Sequence, residues 1–260
     1  MSPLNTLLDP AGRIVIGHRG AAARAPENTL ESFRLALQHG AQALELDVHA
    51  ARDGTPVVIH DPDLRRTTNQ AGPVADLPLP AIRGADAGHA FTPDGGRTFP
   101  WRGRGVCVPT LAEVLEEFPD TPLLIELKTR RVQHAVARLL RAHAAEARSV
   151  VAAADHGAVA LFRQAPFLVG ASRRDIARLY FGLRAGLWLP RPQYCLLSVP
   201  LTFRGLYVPT PRFVAAARRL GATVHVWTVD EPSVARRLWH DGVSGVVTND
   251  TERIVAGAVS

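Results

Sequence analysis

The amino-acid sequence predicts a single-domain α/β fold, a (β/α)8 barrel of the TIM type. Eight short apolar or β-branched runs recur along the chain, and helical patterns separate most of them. The length of 260 residues suffices for one such barrel, so we expect residues 1–260 to form one domain. Barrel enzymes carry their active sites at the carboxyl ends of the strands, which is where chemistry is expected.

The predicted strands and helices alternate in chain order. The strands are residues 13–17, 43–48, 123–127, 150–153, 167–169, 194–198, 223–228 and 245–248. The clearest helical patterns are residues 29–39, 111–118, 132–145, 211–220 and 233–240. At the start of the first of these helices, Asn28 is a plausible N-cap with Glu31 in the third helical position, resembling a capping box.

A ninth apolar run, residues 56–60, lies too close to the second strand for a helical crossover. The dipeptide Asp53-Gly54 between them is typical of a two-residue hairpin turn. Such a turn pairs residues whose numbers sum to 107, which places His60 opposite Asp47. We therefore expect a β-hairpin after strand 2 that is not part of the barrel.

Residues 63–108 are rich in glycine and proline and weakly periodic, and the segment is longer than an ordinary connection. We interpret it as an elaborated loop or small insertion over the barrel mouth. It could serve as a substrate cap or be a surface excursion.

Composition and charge indicate which kinds of ligand or partner the protein is expected to bind. The formal net charge is +6, but the arginines are scattered without an aromatic-interleaved stripe, so we expect no nucleic-acid partner and a surface that favours anionic ligands. Cys107 and Cys195 show no metal-ligand spacing and are expected to be free, partly buried thiols. The sequence shows no secretory signal and no apolar run long enough for a stable membrane anchor, which favours a cytoplasmic protein. The oligomeric state stays open.

Carboxylates at alternate positions of strand 2 suggest a metal site. Glu45 and Asp47 share one face of an apolar strand, where paired acids need neutralisation. Oxygen ligands suit a hard cation, so one divalent cation, Mg²⁺ or Ca²⁺, is expected; a solvent-facing acidic pair is the alternative.

The next barrel strand repeats this pattern with an acid and a base. Glu126 would supply a third metal carboxylate, and Lys128 either points at a phosphate oxygen or forms a local ion pair. Of the 30 basic residues, Lys128 is the only lysine, which suggests that the position needs a compact ammonium group.

Two histidines complete a candidate catalytic set. His18 and Arg19 follow the first strand, and His60 closes the hairpin. Phosphodiester cleavage requires one group that removes a proton from the nucleophile and another that protonates the departing alkoxide. A metal, Arg19 and Lys128 would neutralise charge on the phosphoryl oxygens.

Taken in order, these motifs resemble the glycerophosphodiester phosphodiesterase family over nearly the whole chain. They are His18-Arg19-Gly20, Pro26-Glu27-Asn28-Thr29, Glu45-Leu46-Asp47-Val48, Asp53-Gly54, His60-Asp61, Pro109-Thr110-Leu111, Ile125-Glu126-Leu127-Lys128, Val226-Trp227-Thr228-Val229 and the run 242–249.

The resemblance implies metal-dependent hydrolysis of a small-molecule glycerophosphodiester to glycerol 3-phosphate and an alcohol. It implies Ca²⁺ or Mg²⁺ at Glu45, Asp47 and Glu126, with His18 and His60 as the acid–base pair. Arg19 and Lys128 would hold phosphate, and Trp227 would line the substrate pocket, although a core role for Trp227 is equally open. The nucleophile is either a substrate hydroxyl, giving a cyclic phosphate first, or water.

Two departures from the family pattern bear on substrate preference. Ala153-Ala154 stands where many relatives have Ser-Phe, and Thr248-Asn249 stands where they have Thr-Asp. An alternative function is therefore a phospholipase D-type activity on lysophospholipids or sphingolipids, with residues 180–207 as an apolar lip. A non-catalytic phosphate-binding module is a third alternative, but such a protein should have lost a histidine or an acid.

Overall fold

The computed structural model describes residues 6–258. In chain order its strands are β1 (Ile14–His18), β2 (Ala43–Ala50), β3 (Pro56–Val58), β4 (Leu123–Leu127), β5 (Ser149–Ala152), β6 (Leu168–Val169), β7 (Leu196–Pro200), β8 (Thr202–Phe203), β9 (Leu206–Tyr207), β10 (Thr223–Trp227) and β11 (Gly245–Thr248). Its α-helices are α1 (Leu30–Gln38), α2 (Leu79–Arg83), α3 (Leu111–Glu117), α4 (Gln133–Ala142), α5 (Arg173–Arg184), α6 (Pro211–Arg219), α7 (Pro232–His240) and α8 (Thr251–Ala258).

Eight parallel strands form a nearly closed barrel, as the sequence predicts. Their order is β6-β5-β4-β2-β1-β11-β10-β7. A parallel bridge between Gly170 and Leu196 joins the two ends of this order. Each of the eight predicted strands is present, with ends displaced by at most two residues.

The alternation of side chains along the strands explains how the barrel is filled. On β1, Ile14 and Ile16 belong to an inner cluster with Leu124 and Val247, whereas Val15 belongs to the larger core. Leu7 is fully buried in the inner cluster, so the turn at Thr6–Leu8 packs into the barrel. Strands that are covered on both faces give the continuous apolar runs seen in the sequence.

The five predicted helices are present, but the third, residues 132–145, was predicted too long. Helix α4 ends at Ala142, and Ala144 has a positive φ of 47° that ends the helical geometry. Helices α2, α5 and α8 were not predicted. Helix α5 begins at a capping box formed by Ser172 and Asp175 within an arginine-rich stretch of sequence.

The predicted hairpin is present, but the predicted register was wrong by one residue. Strand β3 pairs with β2 so that Val48 lies opposite Val58, a sum of 106 rather than 107. The reason is a three-residue turn: Ala51 N–H donates to Thr55 O at 2.9 Å, and Gly54 takes the left-handed conformation at φ 86°. The backbone opposite Asp47 is therefore that of Ile59, whose N–H donates to Asp47 O at 3.0 Å.

The segment 63–108 packs around an apolar cluster of its own beside this hairpin. The cluster includes Val57 and Ile59 from the hairpin together with Leu64, Val74 and Ile82. The Trp101 indole N–H donates to Arg24 O at 3.2 Å, and Arg83 pairs with Glu113 at 2.8 Å. These contacts fix the segment to the loop after β1 and to helix α3.

No helix among residues 6–258 combines the length and the apolar character needed to cross a membrane. Cys107 and Cys195 are free and partly buried, as predicted.

Candidate active site

Three carboxylates from adjacent strands meet at the mouth of the barrel. Asp47 on β2 lies in register with Glu126 on β4, and Glu45 follows the same face of β2. One oxygen of each lies within 4.8 Å of the others. Glu45 and Asp47 are buried, and Glu126 is partly buried. Strand pairing thus assembles the acids that the sequence singled out.

Asp47 is the carboxylate with the most partners. Lys128 Nζ lies 2.8 Å from Asp47 Oδ1 and 2.9 Å from Glu126 Oε2. Arg19 Nε approaches Asp47 Oδ2 at 3.0 Å, a charge contact without hydrogen-bond alignment. Burial opposes ionisation, but Lys128 and then Arg19 hold the pKa of Asp47 below its usual range.

Glu45 has a different environment, although it lies only two residues away. Burial, reinforced by the charges of Asp47 and Glu126, raises its pKa well above the usual range. Its nearest ion-pair partner is His18, whose Nε2 lies 4.0 Å from Glu45 Oε2. Three close carboxylates with incomplete charge compensation fit an oxygen-ligated divalent cation such as Mg²⁺ or Ca²⁺.

His18 is held by an amide. Asn249 Oδ1 lies 2.7 Å from His18 Nδ1, while Asn249 Nδ2 donates to Asp230 Oδ2 at 3.0 Å. Because Asp230 fixes the amide, its oxygen faces the imidazole, and His18 Nδ1 carries the hydrogen. Burial and then Arg19 lower the pKa of His18, so its Nε2 is an unprotonated acceptor near neutral pH.

His60 is held by a carboxylate. Its Nδ1 lies 2.6 Å from Asp61 Oδ1, and Arg66 Nε donates to Asp61 Oδ2 at 2.6 Å. Hydrogen bonds from Arg66 and His60 lower the pKa of Asp61 to about 2, against the opposite effect of partial burial. A carboxylate that accepts from the Nδ1–H of an imidazole fixes the orientation of the ring.

The loop after β1 supports Asp47, a role that the sequence prediction missed. Asn28 donates from Nδ2 to Asp47 Oδ2 at 2.9 Å and accepts from Asp47 N at 3.2 Å. The prediction of Asn28 as the N-cap was wrong, because its left-handed φ of 58° turns its side chain to Asp47 and Thr29 caps α1 instead. Asparagine tolerates this conformation better than most residues, and that preference was the one available signal.

Arg19 is already engaged by protein carboxylates. Besides Asp47, its guanidinium contacts Glu27 at 2.9 Å, and Glu27 in turn binds Arg66 at 2.7 Å. The backbone of Arg19 is also left-handed, with a φ of 54°. Lys128 is likewise held in the local ion pairs that the sequence left as an alternative. Both cations still line the cavity.

A cavity of about 490 Å³ joins these groups into one site. Its charged wall includes His18, Arg19, Glu45, His60 and Lys128 together with Glu126. Its apolar wall includes Ala152–Ala154, Ala171, Ile176, Tyr180, Phe181, Phe203, Leu206 and Val208. Trp227 lines the cavity at its rim. The lining residues lie outside the segment 63–108, so a capping role for that segment stays a prediction.

Comparison with known proteins places this geometry in a family. A family model described as the glycerophosphoryl diester phosphodiesterase family matches residues 18–253. The chain belongs to this family. The matched region includes His18, the carboxylate cluster and Asn249, and the chain is accordingly a phosphoric diester hydrolase.

The similarity to known relatives extends over most of the chain. A glycerophosphodiester phosphodiesterase from Caldanaerobacter subterraneus is 29% identical, with 93% of this chain and 96% of the relative covered. A glycerophosphodiester phosphodiesterase structure from Agrobacterium tumefaciens has 26% identity and a TM-score of 0.74, covering 94% of this chain and 99% of that one. An Oleispira antarctica phosphodiesterase, solved with the product sn-glycerol-3-phosphate, has 26% identity and a TM-score of 0.75, covering 95% and 97%.

Proposed function

We propose that the protein hydrolyses glycerophosphodiesters to glycerol 3-phosphate and an alcohol, with a divalent cation and two histidines. The observation that carries the proposal is that both histidines line one cavity with Glu45 and Glu126, two members of the carboxylate cluster that Asp47 completes. The activity for which the relatives are named and the product bound by the Oleispira antarctica enzyme support the same substrate class.

In this proposal His18 is the general base. Its Nε2 is available as an acceptor because Nδ1 carries the hydrogen that faces Asn249. The lowered pKa keeps the ring neutral at pH 7, ready to take the proton of the attacking oxygen. That oxygen belongs either to water or to the neighbouring glycerol hydroxyl.

His60 is the general acid. Asp61 orients the ring through Nδ1, so that Nε2 can give its proton to the alkoxide that leaves phosphorus. The two histidines thus differ in what lies behind them, a neutral amide for His18 and a carboxylate for His60. That difference assigns the direction of proton movement.

Glu45, Asp47 and Glu126 would hold the cation, which supplies charge neutralisation at the phosphoryl oxygens when bound. Lys128 and Arg19 balance the buried carboxylates and present their remaining N–H groups to the phosphate. Trp227 lines the rim where the leaving alcohol departs.

A second candidate, phospholipase D-type hydrolysis of lysophospholipids, is favoured by the apolar wall. Alanines at the ends of β5 and β6 leave space beside the phosphate site, and Tyr180, Phe203 and Leu206 line it. A glycerol headgroup needs little of this surface, whereas an acyl chain would bury it.

A matrix of metals and substrates tests both functions. The purified protein is treated with EDTA, restored with Mg²⁺ or Ca²⁺, and supplied with glycerophosphocholine or lysophosphatidylcholine. We expect EDTA to abolish turnover, and glycerol 3-phosphate to be the product from glycerophosphocholine. Indifference to EDTA would contradict the metal, and turnover of lysophosphatidylcholine alone would replace the first function with the second.

A further inference from the structure

The exposed large apolar side chains of residues 6–258 are confined to one part of the chain. They are Phe181, Leu187, Trp188, Phe203, Leu206 and Trp227, with exposed fractions between 41% and 86%. Four of them, Phe181, Phe203, Leu206 and Trp227, also line the cavity and therefore surround its opening. An apolar surface concentrated in this way indicates an interaction site.

Leu187 and Trp188 lie on the same side of the barrel as this opening. Helix α5 lines the cavity from Arg173 to Phe181, and Arg212 at the start of α6 donates to Leu183 O at 3.2 Å. Helix α6 leads from the mouth to the base of the barrel, so its first turn marks the mouth side. Leu187 N–H donates to Gly182 O at 2.9 Å, which keeps the following Trp188 beside the C-terminal end of α5.

The chain segment that contributes most of this surface is strongly basic. Residues 173–212 contain seven arginines and a single acidic residue, Asp175. Asp175 is already paired with Arg163 at 2.8 Å. Among the arginines, Arg184 lies over the Tyr180 ring and Arg204 over the Phe203 ring, so charge and aromatic surface occupy the same rim.

We propose that this surface, formed by the six exposed apolar residues and Arg184, Arg204 and Arg212, docks on an anionic lipid bilayer. Aromatic rings with arginines suit the interface between headgroups and acyl chains. Self-association is disfavoured because a symmetric contact would bring the arginines of two copies together. Docking turns the cavity towards the bilayer, and it goes beyond the proposed reaction because it requires no turnover.

Vesicle binding tests the proposal directly. The full chain is sedimented with vesicles of phosphatidylcholine alone or with phosphatidylglycerol added, at low and high salt. We expect binding to the anionic vesicles that weakens with salt, together with a blue shift of tryptophan emission as Trp188 leaves water. Absence of binding to anionic vesicles at low salt overturns the proposal.

Matched variants identify the surface. Leu187→Ser with Trp188→Ser should lower the vesicle partition coefficient by about tenfold or more, since two apolar anchors are lost. Arg184→Glu should lower it about fivefold or more. Arg219→Glu is the control, because it makes the same charge change at the exposed C-terminal end of α6, at the base of the barrel. Equal losses for Arg184→Glu and Arg219→Glu would overturn the assigned surface.

Two further measurements separate this proposal from other outcomes. Sedimentation equilibrium should show that the unaltered protein does not self-associate through this surface. Self-association that is abolished by Leu187→Ser with Trp188→Ser would assign the surface to a second copy instead. Hydrolysis of water-soluble glycerophosphocholine should be unchanged in these variants, because none of the altered residues lines the cavity. Failure of that hydrolysis in the unaltered protein would contradict the proposed function and leave the docking result intact.

Discussion

At the scale of single residues, the site depends on how two similar groups are given different properties. Glu45 and Asp47 differ in their neighbours. Asp47 is contacted by Lys128, Arg19 and Asn28, whereas Glu45 lies beside other carboxylates and His18. His18 and His60 differ in the same way through Asn249 and Asp61. The proposed roles of these residues therefore depend on the groups that contact them as much as on the residues themselves.

The assigned direction of proton transfer predicts a dependence on the leaving group. With an alkyl leaving group, His18→Ala and His60→Ala should each lower kcat by roughly 10²- to 10⁴-fold. With a p-nitrophenyl ester of glycerol 3-phosphate, the leaving group needs no proton, so His60→Ala should recover most of its activity while His18→Ala should not. Steady-state kinetics on both substrates measure this, and recovery in His18→Ala alone would reverse the assignment.

The unique lysine gives a second prediction. Lys128 reaches two carboxylates within 3 Å because its ammonium is compact, and a planar guanidinium cannot take the same position. We expect Lys128→Arg to lower kcat/KM by about tenfold or more, and Lys128→Met to lower it further. Unchanged kinetics in Lys128→Arg would refute the argument from its uniqueness.

The acids and histidines were predictable from sequence, but the residues that hold them in place by hydrogen bonds were not. Strand alternation alone places Glu45 and Asp47 on one face, and strand ends place His18 at the mouth. The contact of Asn28 with Asp47 depends on a left-handed backbone in a loop, and that of Asn249 with His18 joins residues 231 positions apart. Local patterns carry neither kind of information.

At the scale of elements, turns decide how the site is assembled. The dipeptide Asp53-Gly54 can form a two-residue turn by itself, or it can supply the second and third residues of a three-residue turn. The hairpin register therefore could not be predicted from this dipeptide alone. The eight barrel strands were predictable because each is a continuous apolar run between turn residues. Helix α5 was missed because Phe181 on its exposed face and Gly182 on its buried face obscure the helical spacing of its apolar residues.

Two glycines with positive φ give a prediction for these turns. A Cβ on Gly20 would overlap the Ser32 side chain, whereas one on Gly54 would meet nothing within 4 Å. Gly54→Ala should therefore cost only backbone strain, about 1 kcal/mol of unfolding free energy, and Gly20→Ala about 3 kcal/mol or more. Urea unfolding measures both, and equal losses would contradict the close packing at Gly20.

At the scale of the whole molecule, a buried histidine near the base of the barrel links stability to pH. His225 Nε2 donates to Leu7 O at 3.0 Å, and burial lowers the pKa of His225 to about 4. The unfolded chain binds a proton near the ordinary value of 6.5, before the folded state does. Stability is therefore fully present above about pH 6.5 and is lost as the pH falls towards 4.

This linkage should be measurable by urea unfolding at two pH values. Between pH 7 and pH 5 the unaltered protein should lose about 2 kcal/mol through His225 alone. His225→Gln retains an N–H donor for Leu7 and cannot titrate, so its loss over this interval should be smaller by that amount. The same loss in both proteins would show that another group controls the pH dependence.

In the whole molecule, we propose, the carboxylates hold a cation while the histidines move protons. Calorimetric titration with Mg²⁺ or Ca²⁺, combined with turnover of glycerophosphocholine, separates these two roles in the same samples. We expect Glu45→Gln to lose cation affinity and activity together, and His60→Ala to keep the affinity of the unaltered protein while losing turnover. Full cation affinity in Glu45→Gln, or full turnover in His60→Ala, would contradict the account.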